Sequence, residues 1–336
     1  MNIESPTSNT QMGMRVLVTG GTGFIGSHLV EELLIRGYRV LCLVHERLGW
    51  LENLPVELYF GDLTRPETLR GAVEGVDCLY HLAGLVRAKD PQEYLRANHL
   101  GTRNLLLACL EAKVPPARFV YVSSLAALGP SEGVRPLREE DTPHPISPYG
   151  LSKLKGEEEV LKRKERLHVV LIRPPAVYGP RERDLYTYFR LADRGFFPIV
   201  GFYKRRLSLC YINDLVQGLL LAGERDVPSG AIYHIAGEGA YSWREIWEVF
   251  VEVLGVRPVM VRLPKTLFYT LALFAEGWGR LQGRPPLFDR GKVHEMASSW
   301  IVDISKAKRE LGYSPRFPLQ EGIRLTVDWY RKEGWL

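Results

Sequence analysis

The sequence predicts an α/β protein: a parallel β-sheet covered by helices on both faces, joined to a smaller carboxyl-terminal lobe. Three observations lead there. Short apolar strands alternate with helical stretches through the first half of the chain. A glycine-rich turn, TGGTGFIG, stands between the first strand and the first helix. After Gly179 the alternation loosens, and apolar and aromatic segments take over. The boundaries that follow are a disordered leader at 1–13, a first domain at 14–180 and a lobe at 181–336, from which some segments return to the first domain.

The leader, MNIESPTSNTQMG, is polar and lacks the apolar core of a signal peptide. RVLVTG then reads as a strand and GTGFIGSHLVEELLIRG as a helix. YRVLCLV and VELYFGD are the next strands, followed by a helix around Pro66 to Ala72 and the strand CLYHLAG. A helix is expected from about Gln92 to Glu111, then the strand FVYVSS. A loop rich in Gly and Pro runs to Pro148, where a helix capped by Ser147 begins. HVVLIRP is another strand. In the lobe, helical pieces surround FFPIV, LSLCYI and IYHIAG, and SWREIWEVFVEVLG reads as a helix with Ser242 at its N-cap. Residues 262–283 read as an amphipathic helix with Leu267, Leu271 and Phe274 on one side. Packing within its own lobe is the default; a lid over a greasy substrate or a weak contact with a membrane surface is the sharper alternative.

The 336 residues carry 44 basic and 39 acidic side chains, a net charge of +5. Spread over this length, that charge forms no concentrated basic face, so no nucleic-acid partner is expected. Lys162, Arg163, Lys164 and Arg166 fall on a solvated helix face, whereas Lys204, Arg205 and Arg206 lead straight into a strand. At 46% hydrophobic, the chain can build a substantial core. No apolar run is long enough to span a membrane. Cys42, Cys78, Cys109 and Cys210 lie in apolar surroundings without a CxxC pair. They point to buried thiols in a reducing, cytoplasmic setting, and to neither disulfides nor a metal site.

Gly20, Gly23 and Gly26 fall directly between strand and helix. Gly20 allows a tight turn, Gly23 lets the backbone approach a pyrophosphate, and Gly26 permits close helix packing. The helix N-terminus then offers free amides to phosphates. A mere glycine-rich turn would not need this register with strand and helix, so the pattern implies a dinucleotide cofactor. The second strand ends in Val44, His45, Glu46 and Arg47. His45 and Arg47 suit the 2′-phosphate of NADP, while Glu46 suits the free hydroxyls of NAD. The balance leans to NADP and leaves NAD open. Asp62, at the end of the next strand, is placed to meet the adenine amino group or to cap the segment LTRPET.

The strand FVYVSS delivers Ser124 to the carboxyl edge of the sheet, where ligands of such folds bind. Tyr149 and Lys153 lie one helical turn apart on the same face. Hydride can leave a carbinol carbon only if the hydroxyl proton is taken as it goes. A tyrosinate can take it, but a free phenol titrates near pH 10. A neighbouring ammonium lowers that value, and Lys153 can also hold ribose hydroxyls. Ser124 can hold the substrate oxygen near the tyrosine. Serines are common strand-end caps and a lone tyrosine is usually packing, but the three together behind a dinucleotide cradle form a catalytic set.

TGGTGFIG, GDL (61–63), YHLAG (80–84), NHLGTRNLL (98–106), YVSS (121–124), YGLSK (149–153) and RPPAVYGP (173–180) follow one another in a familiar order. The chain resembles an extended short-chain dehydrogenase/reductase of the NAD-dependent epimerase/dehydratase group, and is nearer the dihydroflavonol reductase and 3β-hydroxysteroid dehydrogenase branch. The likeness runs from Arg15 to Leu336. It implies a Rossmann-type domain with a smaller substrate lobe, Tyr149 as acid or base, Lys153 as its partner and Ser124 at the substrate oxygen. It also implies Phe24 and Ile25 along the pyrophosphate, and Asp62 and Leu63 at adenine. Leu82, Ala83, Gly84 and Asn98 would border ribose and phosphates, and Pro174 and Val177 would back the nicotinamide. His81 belongs beneath the cofactor edge and not to catalysis. A homodimer through Gln92–Glu111 and Tyr149–Lys164 is implied as well.

The substrate is less legible. Sugar-nucleotide relatives often carry an arginine in an R-D-F-x-Y-V-D-D segment; here the stretch is LSLCYIND, with Leu207 in the arginine's place. Leu125, Ala126, Ala127 and Leu128 follow Ser124, where dehydratases want an acid and epimerases commonly a tyrosine. The reading is therefore an NAD(P)-dependent oxidoreductase that interconverts a secondary alcohol and a ketone on a small-molecule substrate of apolar or polycyclic character. A nucleotide-sugar 4-epimerase is the alternative within enzymes, and a non-catalytic dinucleotide-sensing protein the alternative outside them.

Overall fold

The computed structural model describes residues 13–201, 205–286 and 289–336. The leader expected at 1–13 lies, apart from Gly13, outside these residues, as does Lys204. Six strands form in the first half: β1 (Arg15–Thr19), β2 (Arg39–Val44), β3 (Glu57–Phe60), β4 (Cys78–His81), β5 (Arg118–Val122) and β6 (Val169–Arg173). β1, β2, β4, β5 and β6 are buried along nearly their whole length, as strands covered on both faces must be. β1 divides its side chains between the two faces. Val16 and Val18 enter one core with Leu29 and Leu219, while Leu17 enters the other with Leu105 and Phe119.

The chain then forms β7 (Ala176–Tyr178), β8 (Phe196–Val200), β9 (Arg206–Leu207), β10 (Leu209–Tyr211), β11 (Ala231–His234), β12 (Tyr241–Ser242) and β13 (Val259–Leu263), all but β7 within the residues expected to form the lobe. β11 pairs in parallel with β6 and completes a seven-stranded sheet of order β11-β6-β5-β4-β1-β2-β3. All its pairings are parallel. The order reverses between β1 and β4, which opens a crevice at the carboxyl ends of those two strands. β7 with β10, β9 with β12 and β8 with β13 form separate two-stranded pairs.

The helices that build the crevice are α1 (Phe24–Ile35), α2 (Arg70–Val73), α3 (Pro91–Tyr94), α4 (Gly101–Glu111) and α5 (Pro148–Leu161). The helix expected around Pro66 to Ala72 is split into a 3₁₀ turn, Pro66–Thr68, and the single turn α2. Thr68 explains the break. Its hydroxyl receives the Asp62 amide and donates to the Arg65 carbonyl, offering the backbone partners outside a helix. The helix expected over Gln92 to Glu111 is continuous but widened by a π-helical turn at Leu95–Leu100. Such turns often mark functional positions, and this one carries Asn98. The remaining helices are α6 (Tyr186–Asp193), α7 (Ile212–Glu224), α8 (Trp243–Leu254), α9 (Lys265–Gln282), α10 (Arg290–Met296), α11 (Ser305–Leu311) and α12 (Leu319–Lys332). Ser242 caps α8 in a reciprocal pair with Glu245. All four cysteines are free and buried. Among the described residues, no helix is long and apolar enough to cross a membrane.

Candidate active site

The turn from β1 to α1 is shaped by backbone contacts. Gly20 has φ +77°, and a Cβ there would meet the Ala83 amide nitrogen at 2.7 Å. A Cβ on Gly26 would lie 2.1 Å from the Gly20 carbonyl oxygen. At Gly23 the nearest atom to a Cβ would be the Gly20 oxygen at 3.4 Å, so this side of the turn is open. Gly23 is also the N-cap of α1, and no side chain satisfies the free amides there.

A cleft of about 1060 Å³ runs from this turn across the sheet edge. Gly20, Gly23, Phe24, Ile25, Gly26, His45, Arg47, Asp62, Leu63, Leu82, Ala83 and Gly84 all line it. The open cradle, the uncapped helix end and a cleft of this size suit a dinucleotide with its pyrophosphate on α1. At the adenosine end the charges are mixed. His45 Nε2 lies 3.4 Å from Asp62 Oδ2, and His45 Nδ1 lies 3.9 Å from Glu46. Asp62 Oδ1 accepts from both the amide and the hydroxyl of Thr64 at 2.8 Å, so its capping role is real while Oδ2 still faces His45.

Asn98 and Lys153 stand behind the cleft. The Asn98 carboxamide accepts from the Leu85 amide at 2.7 Å and donates to the Leu85 carbonyl and Ser152 Oγ, each at 2.9 Å. It thereby ties the β4 loop to α5. Lys153 is buried, donates from Nζ to the Val122 carbonyl at 2.6 Å, and lies 4.6 Å over the Tyr121 ring. Its Nζ is 3.8 Å from where a Cβ on Gly84 would stand, at the cleft wall. Burial lowers its pKa to about 8, against the raising effect of Glu157 one turn further on. Glu157 is itself locked in a buried two-bond pair with Arg173, at 2.6 and 2.9 Å. Pro174 does not line the cleft; its carbonyl accepts from the Leu125 amide instead. Val177 lines the adjoining cavity described next.

His81 is fully buried between two threonines, with Nδ1 2.7 Å from Thr19 Oγ1 and Nε2 2.9 Å from Thr102 Oγ1. The Thr102 hydroxyl donates to the Asn98 carbonyl, so the imidazole must donate from Nε2 and accept at Nδ1. Burial pushes its pKa down to about 3. His81 is thus a neutral link beneath the cofactor edge.

Tyr149 opens into a second cavity of about 410 Å³ between the sheet edge and the lobe. Burial raises its pKa, and a hydrogen bond from the Ser124 side chain lowers it. Among charges, Glu295 raises it and Lys292 lowers it. Both belong to α10 and line the cavity. Lys292 Nζ is 3.3 Å from Glu295 Oε2. Glu295 Oε1 accepts from Ser147 Oγ at 2.5 Å, and Ser147 Oγ accepts from the Gly150 amide at 2.9 Å as the α5 cap. A chain of polar contacts therefore joins the lobe to the helix that carries Tyr149 and Lys153. Sequence reasoning finds the cap at Ser147 but neither Glu295 nor Lys292, because they lie about 140 residues away on a short helix without a motif.

A dinucleotide cleft, a tyrosine–serine pair beside it and a buried lysine on the same helix define an enzyme of the extended short-chain dehydrogenase/reductase type. The chain belongs to the NAD-dependent epimerase/dehydratase family, whose pattern matches residues 16–236. It is 32% identical to a ceramide reductase of Caulobacter vibrioides, over 96% of both chains. It is 30% identical to a 2-alkyl-3-oxoalkanoate reductase of Stenotrophomonas maltophilia, over 93% of this chain and 98% of that one. Among solved structures, it resembles a UDP-glucuronic acid 4-epimerase of Bacillus cereus in complex with UDP-4-deoxy-4-fluoro-glucuronic acid and NAD. That likeness has a TM-score of 0.78 and 26% identity, and covers 95% of this chain and all of the other.

Proposed function

We propose that this protein is an NAD(P)-dependent reductase that interconverts a ketone and a secondary alcohol on an apolar substrate. The observation that carries the reading is the charge and polarity of the 410 Å³ cavity. Its walls include Val86, Leu185, Tyr188, Leu191, Phe268 and Met296. Its acids are Glu182, Asp184, Asp289 and Glu295, against Arg87 and Lys292 among the described residues, and Arg87 is already paired with Asp184. A nucleotide diphosphate would meet net negative charge there. The arginines ahead of Leu207 do not relieve this. Arg205 donates to the Val200 and Met296 carbonyls, and Arg206 to the Ala240 carbonyl. The two reductases above, named for a ceramide and an alkyl-oxoalkanoate, support a long-chain substrate.

Bound in the cleft, the dinucleotide supplies the hydride chemistry. For reduction, Ser124 would hold the ketone oxygen and the Tyr149 phenol would donate the proton that makes it a hydroxyl; for oxidation, the proton returns. Lys153 would meet the ribose hydroxyls beside Gly84. His45 and Arg47 at the cleft rim favour NADP, and the Glu46 and Asp62 carboxylates nearby keep NAD usable. We assign the protein to the cytoplasm, which its four free cysteines support. A homodimer through α4 and α5 is supported by Leu107 and Leu151, which stand partly exposed on those helices. The second reading, a nucleotide-sugar 4-epimerase, draws on the likeness to the sugar-nucleotide-bound structure and on a 28% identity to a UDP-glucose 4-epimerase of Vibrio cholerae.

The test is a titration of NAD(H) and NADP(H), mass spectrometry of small molecules that co-purify, and turnover of long-chain ketones. Exchangeable NADPH and ketone reduction are expected, with Tyr149→Phe losing turnover at least about a hundredfold while binding cofactor normally. Tightly retained NAD with a UDP-sugar would replace this reading with the epimerase, and a fully active Y149F would remove the assigned proton donor.

A further inference from the structure

Beyond the cleft, α9 presents an apolar stripe that nothing among the described residues covers. Leu267, Leu271, Phe274, Trp278 and Leu281 are spaced four, three, four and three residues apart, which sets them along one line of the helix. Their exposures are 44, 48, 73, 65 and 84%. Scattered single apolar side chains need no explanation, but a continuous stripe of five does. It is not what holds the helix down. Ala272 and Gly279 are buried, Phe268 lines the substrate cavity, and Glu276 pairs with Arg290.

The surrounding segment is basic. From Arg257 to Pro286 the sequence holds Arg257, Arg262, Lys265, Arg280 and Arg284 against one acid, Glu276, which Arg290 already balances. Lys265 opens the helix and Arg284 follows its end, and both are exposed. We propose that α9 rests in the surface of an anionic lipid bilayer, with the stripe at the acyl boundary and the cations among the headgroups. A second copy of the chain is the poorer occupant. Two stripes docked about a twofold axis, parallel or antiparallel, would set basic helix ends against each other. The proposal rests on the apolar-ketone reading, because the same helix walls the substrate cavity through Phe268. A ketone dissolved in the bilayer would then reach Tyr149 beneath the helix that touches its solvent.

The test uses the full chain and sucrose-loaded vesicles of phosphatidylcholine, with and without phosphatidylglycerol. Co-sedimentation is expected with the anionic vesicles, at least tenfold above the neutral ones, and is expected to weaken with salt. Phe274→Glu with Trp278→Glu should cut it at least tenfold while leaving turnover of a short, water-soluble ketone unchanged. Leu281→Glu is the second variant should the pair fail to fold. Protein that stays in the supernatant with anionic vesicles overturns the proposal, as does a variant pair that sediments like the parent or one that instead splits a dimer. An active reductase that ignores vesicles removes the docking surface and keeps the reductase. A chain that sediments but reduces no ketone removes the reductase reading on its own.

Discussion

At the scale of the residue, the phenol of Tyr149 is subject to opposing influences. Burial and Glu295 make it harder to ionise; Ser124 and Lys292 make it easier. Lys153, the cation paired with the tyrosine in the sequence reading, spends its ammonium on the Val122 carbonyl and the cleft wall. Lys292 stands on the substrate side and is held there by Glu295. Lys292→Met should therefore shift the alkaline limb of the rate profile to higher pH and lower turnover about tenfold below it, because Tyr149 loses a cation that favours its ionised form. Lys292→Arg should restore most of the loss. A Met variant with an unshifted pH profile would show that Lys292 only joins the lobe to α5. Glu295 and Lys292 were illegible in the sequence for a physical reason: Glu295 meets Ser147 only through a tertiary contact and holds Lys292 beside it, and α10 carries no spacing that announces either.

At the scale of the element, local chemistry decided what could be read in advance. The β1 turn was legible because its glycines answer local backbone demands: a positive φ at Gly20 and a contact at Gly26 that no side chain permits. The caps at Ser147 and Ser242 were legible because a serine ahead of a helix has one strong use. The π-helical turn around Asn98 was not, since its widening serves contacts with the β4 loop and Ser152. The glycines also separate fold from binding. A methyl on Gly23 meets nothing closer than 3.4 Å, at a φ of −88° that any residue adopts. Gly23→Ala should fold normally and lose cofactor affinity about tenfold or more, since the methyl fills the phosphate cradle. Gly26→Ala places its methyl 2.1 Å from backbone and should cost roughly 1–3 kcal/mol of stability. Thermal melts of both variants, with fluorescence titration of NADPH on Gly23→Ala, check the pair. Equal destabilisation by both would mean that the turn cannot distinguish the two positions.

At the scale of the whole molecule, the sheet and the elements packed on it bury two histidines, His81 and His234. The alternation of strand and helix made that architecture readable. The β11 strand, which brings His234 into the sheet, came from the half whose rhythm had loosened. His81 and His234 are fully buried, and burial pushes both down to about 3 from an ordinary value near 6.5. Between those values the unfolded chain binds two protons that the folded chain refuses, so stability must fall as pH drops below about 6.5. Glu182 acts the other way. Burial raises it to about 7, so between about 4.5 and 7 the folded chain holds one proton that the unfolded chain has released. His28, His168 and His294 are lowered by burial as well, and Glu139 and Asp214 are raised, so five imidazoles that resist protonation outnumber three carboxyls that hold protons, and unfolding takes up protons. Stability should then decline from about pH 6.5 to 5, above the range where ordinary carboxylates titrate. Urea unfolding at several pH values in that interval measures the slope. Glu182→Gln removes an opposing group and should steepen it. A parent protein whose stability is level or rises as pH falls through this interval would mean that the buried histidines take up protons without unfolding, and that the layer over the sheet opens to water.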